Sequence, residues 1–153
     1  PPLDLSGKKK THSVSRVYET DIITLFHASG AFEFRHLWWE GVEKIEALDH
    51  LLPRVGMKSR WTFTNGKTLY YSSSYSYSDD KIEFSETDEK GEQVTYFTLT
   101  KVADKETKLT IDIYKASNWI TDFILGSSGQ KKQEAMLQKS LENIVPLLKK
   151  IPL

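Results

Sequence analysis

Residues 131–151 read KKQEAMLQKSLENIVPLLKKI and carry the clearest amphipathic helix in the chain. Pro146 lies inside this stretch. Because proline lacks an N–H and its ring crowds the preceding turn, we predict a kink near Glu142. Such a proline destabilises a helix by about 3 kcal/mol. The apolar residues recur at spacings of four, three, four and three, which places them on one stripe. They are Leu137, Leu141, Ile144, Leu148 and Ile151. The helix is therefore expected to cover one apolar surface.

The surface that this helix covers is predicted to be a sheet. Upstream segments rich in β-branched and aromatic residues, separated by polar turns, are typical of strands. Asn65-Gly66 favours a tight hairpin between two of them. Residues 23–39 are expected to form two short helical pieces. Residues 118–125 are expected to form a short helix or turn that ends at Gly126–Gly129. The seven predicted strands cover residues 13–22, 41–49, 55–64, 67–78, 81–87, 93–102 and 108–114.

This order of elements predicts an α+β fold. A curved antiparallel sheet of about seven strands grips a long C-terminal helix, and two short helices follow strand 1. An antiparallel sheet with one apolar face needs a cover, and the amphipathic helix supplies it. A curved sheet around a helix leaves room between the two, which is a natural place for a ligand cavity.

Three short motifs follow one another along the chain. They are Leu37-Trp38-Trp39-Glu40-Gly41-Val42-Glu43-Lys44-Ile45-Glu46, Pro53-Arg54-Val55-Gly56 and Ser140-Leu141-Glu142-Asn143-Ile144. Together they resemble the START-like, helix-grip (SRPBCC) superfamily, which includes the polyketide cyclase/dehydrase and lipid-transport proteins. Each motif is weakly specific alone, and their order and spacing over about residues 12–151 carry the resemblance. The superfamily binds lipids, sterols, hormones and polyketides, and a minority of its members catalyse, so the resemblance implies a cavity and leaves its occupant open.

The segment around the first motif is similar to uncharacterised bacterial members, in some of which this domain follows another domain. Residues 1–11 (PPLDLSGKKKT) have the composition of a linker, with two prolines, a glycine and three lysines. We therefore expect a linker or disordered start over residues 1–11 and a helix-grip domain over residues 12–153. This domain is expected to be the C-terminal part of a longer protein.

Composition narrows the functional classes. The chain has 153 residues and 17.6 kDa, a size typical of one domain, with 21 basic and 21 acidic residues. A nucleic-acid partner is not expected, because phosphate binding favours a basic excess. The chain has no cysteine, which excludes disulfides and thiolate sites. It shows no apolar stretch long enough for an integral membrane segment and no signal-peptide pattern, so a cytoplasmic location is expected.

Neither metal nor cofactor binding is predicted. The four histidines are His12, His27, His36 and His50, and none of their spacings matches a helical zinc site. Nucleotide-binding glycine motifs and the serine-nucleophile elbow are absent from the sequence.

Aromatic residues on several elements are predicted to surround one interior, as a packed core or as a lined pocket. Arg16 and Glu86 share strand faces with apolar residues, so they are expected either to pair or to bind a charged ligand head. A register slip of one residue would exchange the tyrosines that face inward, and the sequence leaves this open. The predicted ligand-binding residues are Arg16, Tyr18, Trp39, Trp61, Phe63, Tyr71, Tyr75, Glu86, Tyr96, Trp119 and Phe123.

Three hypotheses for function follow. The leading one is a binding module for a small, mainly hydrophobic ligand, lipid-like or aromatic, which would enter between residues 26–39, residues 119–129 and the closing helix. The second is a regulatory or protein-interaction domain with a filled core, whose partner would be an upstream domain of the same chain. The third is an enzyme of the cyclase or dehydratase kind, which would need an acid–base pair from His36, Glu86, Tyr71 or Tyr75.

Overall fold

The computed structural model of the chain describes residues 5, 7–48, 58–63, 66–116 and 119–151, and for residue 47 and residues 119–128 it describes the backbone alone. In chain order the described elements are β1 (Lys8–Tyr18), α1 (Ile22–Gly30), α2 (Phe32–Trp38), β2 (Val42–Ala47), β3 (Lys58–Phe63), β4 (Gly66–Tyr77), β5 (Lys81–Asp88), β6 (Gln93–Ala103), β7 (Glu106–Ala116) and α3 (Trp119–Leu148). The predicted α+β fold is confirmed. Pro53 and Asn65, each part of a predicted motif, lie outside the described residues.

The seven strands form one antiparallel sheet in the order β1-β7-β6-β5-β4-β3-β2. Strands β2 to β7 lie side by side in reverse chain order. Strand β1 instead pairs along β7, from Lys8 opposite Ala116 to Tyr18 opposite Thr107. The two short helices connect β1 to β2, which lie at opposite edges of the sheet.

The core lies between one face of this sheet, which we call the inner face, and the helices. The stripe predicted on the closing helix is buried there at Leu137, Leu141 and Ile144. These side chains belong to the same cluster as Phe97 and Ile111 of the sheet. Burying a large apolar side chain contributes about 1.5–3 kcal/mol, so this contact between α3 and the sheet is a main source of stability.

Polar contacts fix the position of α3 against the α2–β2 connection. The Ser140 hydroxyl accepts a hydrogen bond from the Glu40 amide at 2.9 Å and donates to the Met136 carbonyl. Asn143 Nδ2 donates to the Trp38 carbonyl at 3.1 Å and to the Glu40 carboxylate at 2.7 Å. Ser140 and Asn143, which belong to the third sequence motif, therefore connect α3 to the first motif, which contains Trp38 and Glu40.

Two predicted boundaries near the first strand are wrong. Strand β1 begins at Lys8 and so includes the last four residues of the predicted linker. It ends at Tyr18 rather than at Ile22, because Asp21 caps α1. The Asp21 carboxylate accepts hydrogen bonds from the amide and the hydroxyl of Thr24, a contact that stabilises the first turn of a helix.

The predicted break at Gly126–Gly129 is also wrong, since α3 runs without interruption from Trp119 to Leu148. A glycine inside a helix costs only about 1 kcal/mol relative to alanine, and the helix is anchored by its packing further along. Pro146 lies in its last turn and is exposed, and the kink near Glu142 stays a prediction. None of the helices among the described residues is long and apolar enough to cross a membrane.

Candidate functional site

A cavity of about 140 Å³ lies between the inner face of the sheet and α3. Its wall is built from strands β3 to β7, from the α2–β2 connection and from one side of α3. The described residues that line it are Trp39, Trp61, Phe63, Tyr70, Glu86, Gln93, Thr95, Ile113, Gln133 and Met136. Four of the predicted site residues, Trp39, Trp61, Phe63 and Glu86, therefore lie together at this cavity.

The aromatic part of the wall is a connected set of rings. The centroid of the Trp61 ring lies 4.9 Å from that of Tyr70 and 6.0 Å from those of Trp39 and Phe63. The Trp39 and Trp61 planes meet at 82°, an edge-to-face arrangement that aromatic pairs favour. Trp61 Nε1 donates to the Ser59 hydroxyl at 3.0 Å, so the indole is held in place by a hydrogen bond as well as by packing.

The charged residue of the wall, Glu86, belongs to a buried ion pair. Glu86 on β5 accepts two hydrogen bonds from Arg35 on α2, Nη1 to Oε1 at 2.6 Å and Nη2 to Oε2 at 2.9 Å. Arg35 Nε donates to the Ser29 carbonyl at 3.1 Å. The two side chains are 0% and 6% exposed. This bidentate geometry fixes the orientation of the carboxylate in a way that a single contact would not.

Aromatic rings enclose the guanidinium of Arg35. Its Cζ lies 5.1 Å from the centroid of Phe97 and 5.2 Å from that of Trp61, and Trp38 and Phe32 lie 5.5 and 5.7 Å away. These distances fall within the range of cation–π attraction. Arg35 is therefore held by a carboxylate, a backbone carbonyl and four rings.

Sequence reasoning missed Arg35. Arg16, which the sequence predicts either to pair with Glu86 or to bind a charged ligand head, is exposed, with its Cζ 5.9 Å from the Tyr18 ring. A signal for Arg35 was present, because it lies three residues after Phe32 and three before Trp38, on the stripe that a helix buries. A charged residue on such a stripe needs a buried partner, and Glu86 on an apolar strand face is that partner.

The inward tyrosine of β4 is Tyr70 rather than the predicted Tyr71. Tyr70 lines the cavity, whereas Tyr71 points to the opposite face of the sheet because side chains alternate along a strand. The pairing of β4 with β5 shifts register between Ser72 and Ser74, and this bulge changes which later residues face inward. The register question that the sequence left open is thereby answered for this strand.

The remaining predicted residues lie away from the cavity. Tyr18 is buried, but its hydroxyl donates to the Leu141 carbonyl, and with Arg16 it lines a separate open groove of about 590 Å³. Tyr75 is 51% exposed and contacts Phe26. Tyr96 lies on the outer face, where its hydroxyl donates to the Glu83 carboxylate. The side chains of Trp119 and Phe123 lie outside the described part of the chain.

The described wall of the cavity offers aromatic rings, neutral polar side chains and the carboxylate of Glu86. Among the described residues, no group of three histidine, aspartate or glutamate side chains is placed to hold a metal ion. The residues proposed for an acid–base pair are also separated, since His36 is exposed and Tyr71 is on the other face. Glu86 is the member of that set that lines the cavity.

Tyr70 is expected to make the fold sensitive to alkaline pH. Burial, with the nearby carboxylates of Asp88 and Glu86, raises the pKa of Tyr70 to about 12 from 10.0. A pKa raised in the folded state gives stability that is present below pH 10 and is lost as the pH rises through 12. Tyr70→Phe removes the ionising group. When the pH is raised from 9 to 11, the free energy of unfolding of this variant should therefore fall by about 1 kcal/mol less than that of the unaltered chain. Urea unfolding at both values measures this difference, and equal losses would contradict it.

The fold is shared with solved bacterial structures. A hypothetical protein from Helicobacter pylori aligns with a TM-score of 0.71 at 9% identity, over 88% of this chain and 85% of the other. A protein from Thermus thermophilus aligns with 0.66 at 14% identity, over 90% and 95%, and one from Chromobacterium violaceum with 0.62 at 16% identity, over 95% and 99%. At these identities the likeness shows the fold alone.

No protein-family profile matches the chain. No curated protein sequence matches it either.

Proposed function

We propose that this chain is a binding module of the START-like, helix-grip kind, which holds a small and mainly apolar ligand between the sheet and α3. The observation that supports this proposal most directly is the cavity itself. Aromatic rings make up much of its wall, and Glu86 adds one buried carboxylate. Ligand sites in proteins commonly combine an apolar wall with a few fixed polar groups.

The volume limits the size of the ligand. Sites for drug-sized molecules usually measure about 300–1,000 Å³, and this cavity measures about 140 Å³. An engineered apolar cavity of about 150 Å³ in another protein holds benzene. The ligand we propose is therefore close to a single ring in size, and a long-chain lipid does not fit the described cavity.

The buried ion pair supports a binding role in a second way. Removing two charges from water costs several kcal/mol per ion, and well-packed apolar residues of the same volume are often equally or more stabilising. The Arg35–Glu86 pair is thus a weak explanation of stability alone. A fixed carboxylate in a cavity wall gains its value when it orients a bound molecule.

Native mass spectrometry of the freshly purified chain, compared with its denatured mass, tests the proposal. A reproducible excess mass that disappears on denaturation would support the binding module. A bare mass, followed by no shift with a panel of single-ring compounds, would contradict it and favour the filled-core interaction domain.

The neighbouring tyrosines of β4 provide a matched pair of variants. Tyr70→Ala removes part of the cavity wall, whereas Tyr71→Ala removes a ring from the opposite face of the sheet. Ligand affinity should fall at least tenfold in the first variant and stay unchanged in the second. Equal effects of the two substitutions would show that the ligand binds elsewhere.

A further inference from the structure

The carboxylate of Glu86 retains acceptor capacity towards the cavity. Each of its oxygens takes one hydrogen bond from Arg35, while an ionised carboxylate offers about four lone-pair sites in all. Because Glu86 also lines the cavity, a donor group of a ligand inside it has an ionised acceptor available. A hydrogen bond to a charged group is roughly twice as strong as one between neutral groups.

The cavity presents this negative charge without a positive one. Among the described residues that line it, Glu86 alone has a charged side chain. Arg35 lies behind the carboxylate, enclosed by the rings of Trp61 and Phe97 and donating to the Ser29 carbonyl. An anionic ligand would therefore meet a like charge in the wall.

Lys115 lies next to the cavity wall and is the basic side chain that we consider as an ion-pair partner for an anionic ligand. Its Nζ donates to the Gln133 side-chain oxygen at 2.9 Å, and burial lowers the pKa of this lysine. Gln133 itself lines the cavity, so Lys115 lies one residue behind the wall.

We propose that the preferred ligand is a single aromatic ring that carries a hydrogen-bond donor, and that Glu86 accepts this donor while Trp39, Trp61, Phe63 and Tyr70 surround the ring. This inference rests on the proposed function and names the class of ligand for the same site. Because the proposed ligand donates a hydrogen bond to Glu86, a purely apolar ring should bind less tightly. A ring that carries a carboxylate should also bind less tightly, because it has the same sign of charge as Glu86.

A ligand series on the unaltered chain tests the proposal. Phenol and toluene have nearly the same shape and differ in a hydroxyl against a methyl group. In a wholly apolar cavity toluene would bind more tightly, because it is the more readily transferred from water. With Glu86 as acceptor, phenol should bind at least tenfold more tightly than toluene, and benzoate more weakly than phenol. Titration calorimetry, or the fluorescence of the wall tryptophans, gives the three affinities.

The outcomes separate this inference from the proposed function. If toluene binds as tightly as phenol or more tightly, the donor requirement is wrong while the binding module stands. If benzoate binds more tightly than phenol, the charge selection is wrong and Lys115 becomes the recognising group. If none of the three ligands binds at millimolar concentration, both proposals fail.

A double variant attributes the preference to Glu86. Arg35→Met combined with Glu86→Leu removes both charges at once and so avoids leaving a buried charge unpaired. Toluene should still bind to this variant, and the tenfold preference for phenol should disappear. A preserved preference would assign the donor contact to another polar residue of the wall and overturn the role of Glu86.

Discussion

Arg35→Ala is expected to lower the free energy of unfolding by about 3–5 kcal/mol, the range found when one partner of a buried ion pair is removed. The substitution leaves the Glu86 carboxylate in the core without the two hydrogen bonds that it receives from Arg35. It also removes the cation that four aromatic rings enclose. Domains of this kind are commonly stable by about 5–15 kcal/mol in total, so the loss is large.

We expect most of the stability loss in Arg35→Ala to come from the carboxylate of Glu86 that is left unpaired. A second variant tests this explanation. In the double variant Arg35→Met with Glu86→Leu no charge is left behind, and such replacements are often neutral or stabilising. The double variant should therefore be more stable than Arg35→Ala by several kcal/mol. Urea unfolding of the three chains at neutral pH measures both differences.

Two results would contradict this account of the pair. A loss below about 1 kcal/mol in Arg35→Ala would mean that Glu86 is solvated or finds another partner. A double variant as unstable as the single one would mean that the packing of the Arg35 side chain against the rings, and not its charge, carries the effect.

The sheet and the closing helix could be predicted from the sequence, because each has a regular apolar pattern. The helical spacing of Leu137, Leu141 and Ile144 is preserved in the structure as one buried stripe. Boundaries were less predictable, because they depend on single local contacts. The cap of α1 by Asp21 is such a contact, and it ends β1 earlier than alternation alone would indicate.

The candidate site was predictable in part. Trp61 and Phe63 were assigned to the interior from alternation within β3, and both line the cavity. Tyr70 was missed because unbroken alternation places Tyr71 on the same face as Tyr75, whereas β4 has a bulge between them, between Ser72 and Ser74. That bulge depends on how β4 pairs with β5, which the sequence of either strand does not contain. Arg35 was missed because its partner Glu86 lies 51 residues away on another element. Contacts of that kind are set by the assembled fold.

Trp61→Ala is expected to cost about 3–5 kcal/mol of stability, the usual range for removing a large buried aromatic side chain. Trp61 is 3% exposed, and its ring contacts those of Trp39, Phe63 and Tyr70. Removing it takes away the centre of the aromatic wall and leaves a larger hollow. The expected cost depends on how far the neighbouring rings collapse into that space.

The same substitution should change which ligand binds, and this outcome distinguishes a binding wall from a filled core. Single-ring compounds should bind Trp61→Ala at least tenfold more weakly, while a two-ring compound such as 2-naphthol should gain affinity because the hollow is larger. Trp61→Phe keeps one ring in place and serves as the control, with a smaller loss of stability and affinity for single rings largely retained. Unfolding curves measured alongside the titrations show whether each variant is folded when its affinity is measured. If a folded Trp61→Ala binds single rings as tightly as the unaltered chain, Trp61 does not contact the ligand, and the cavity beside it is not the binding site.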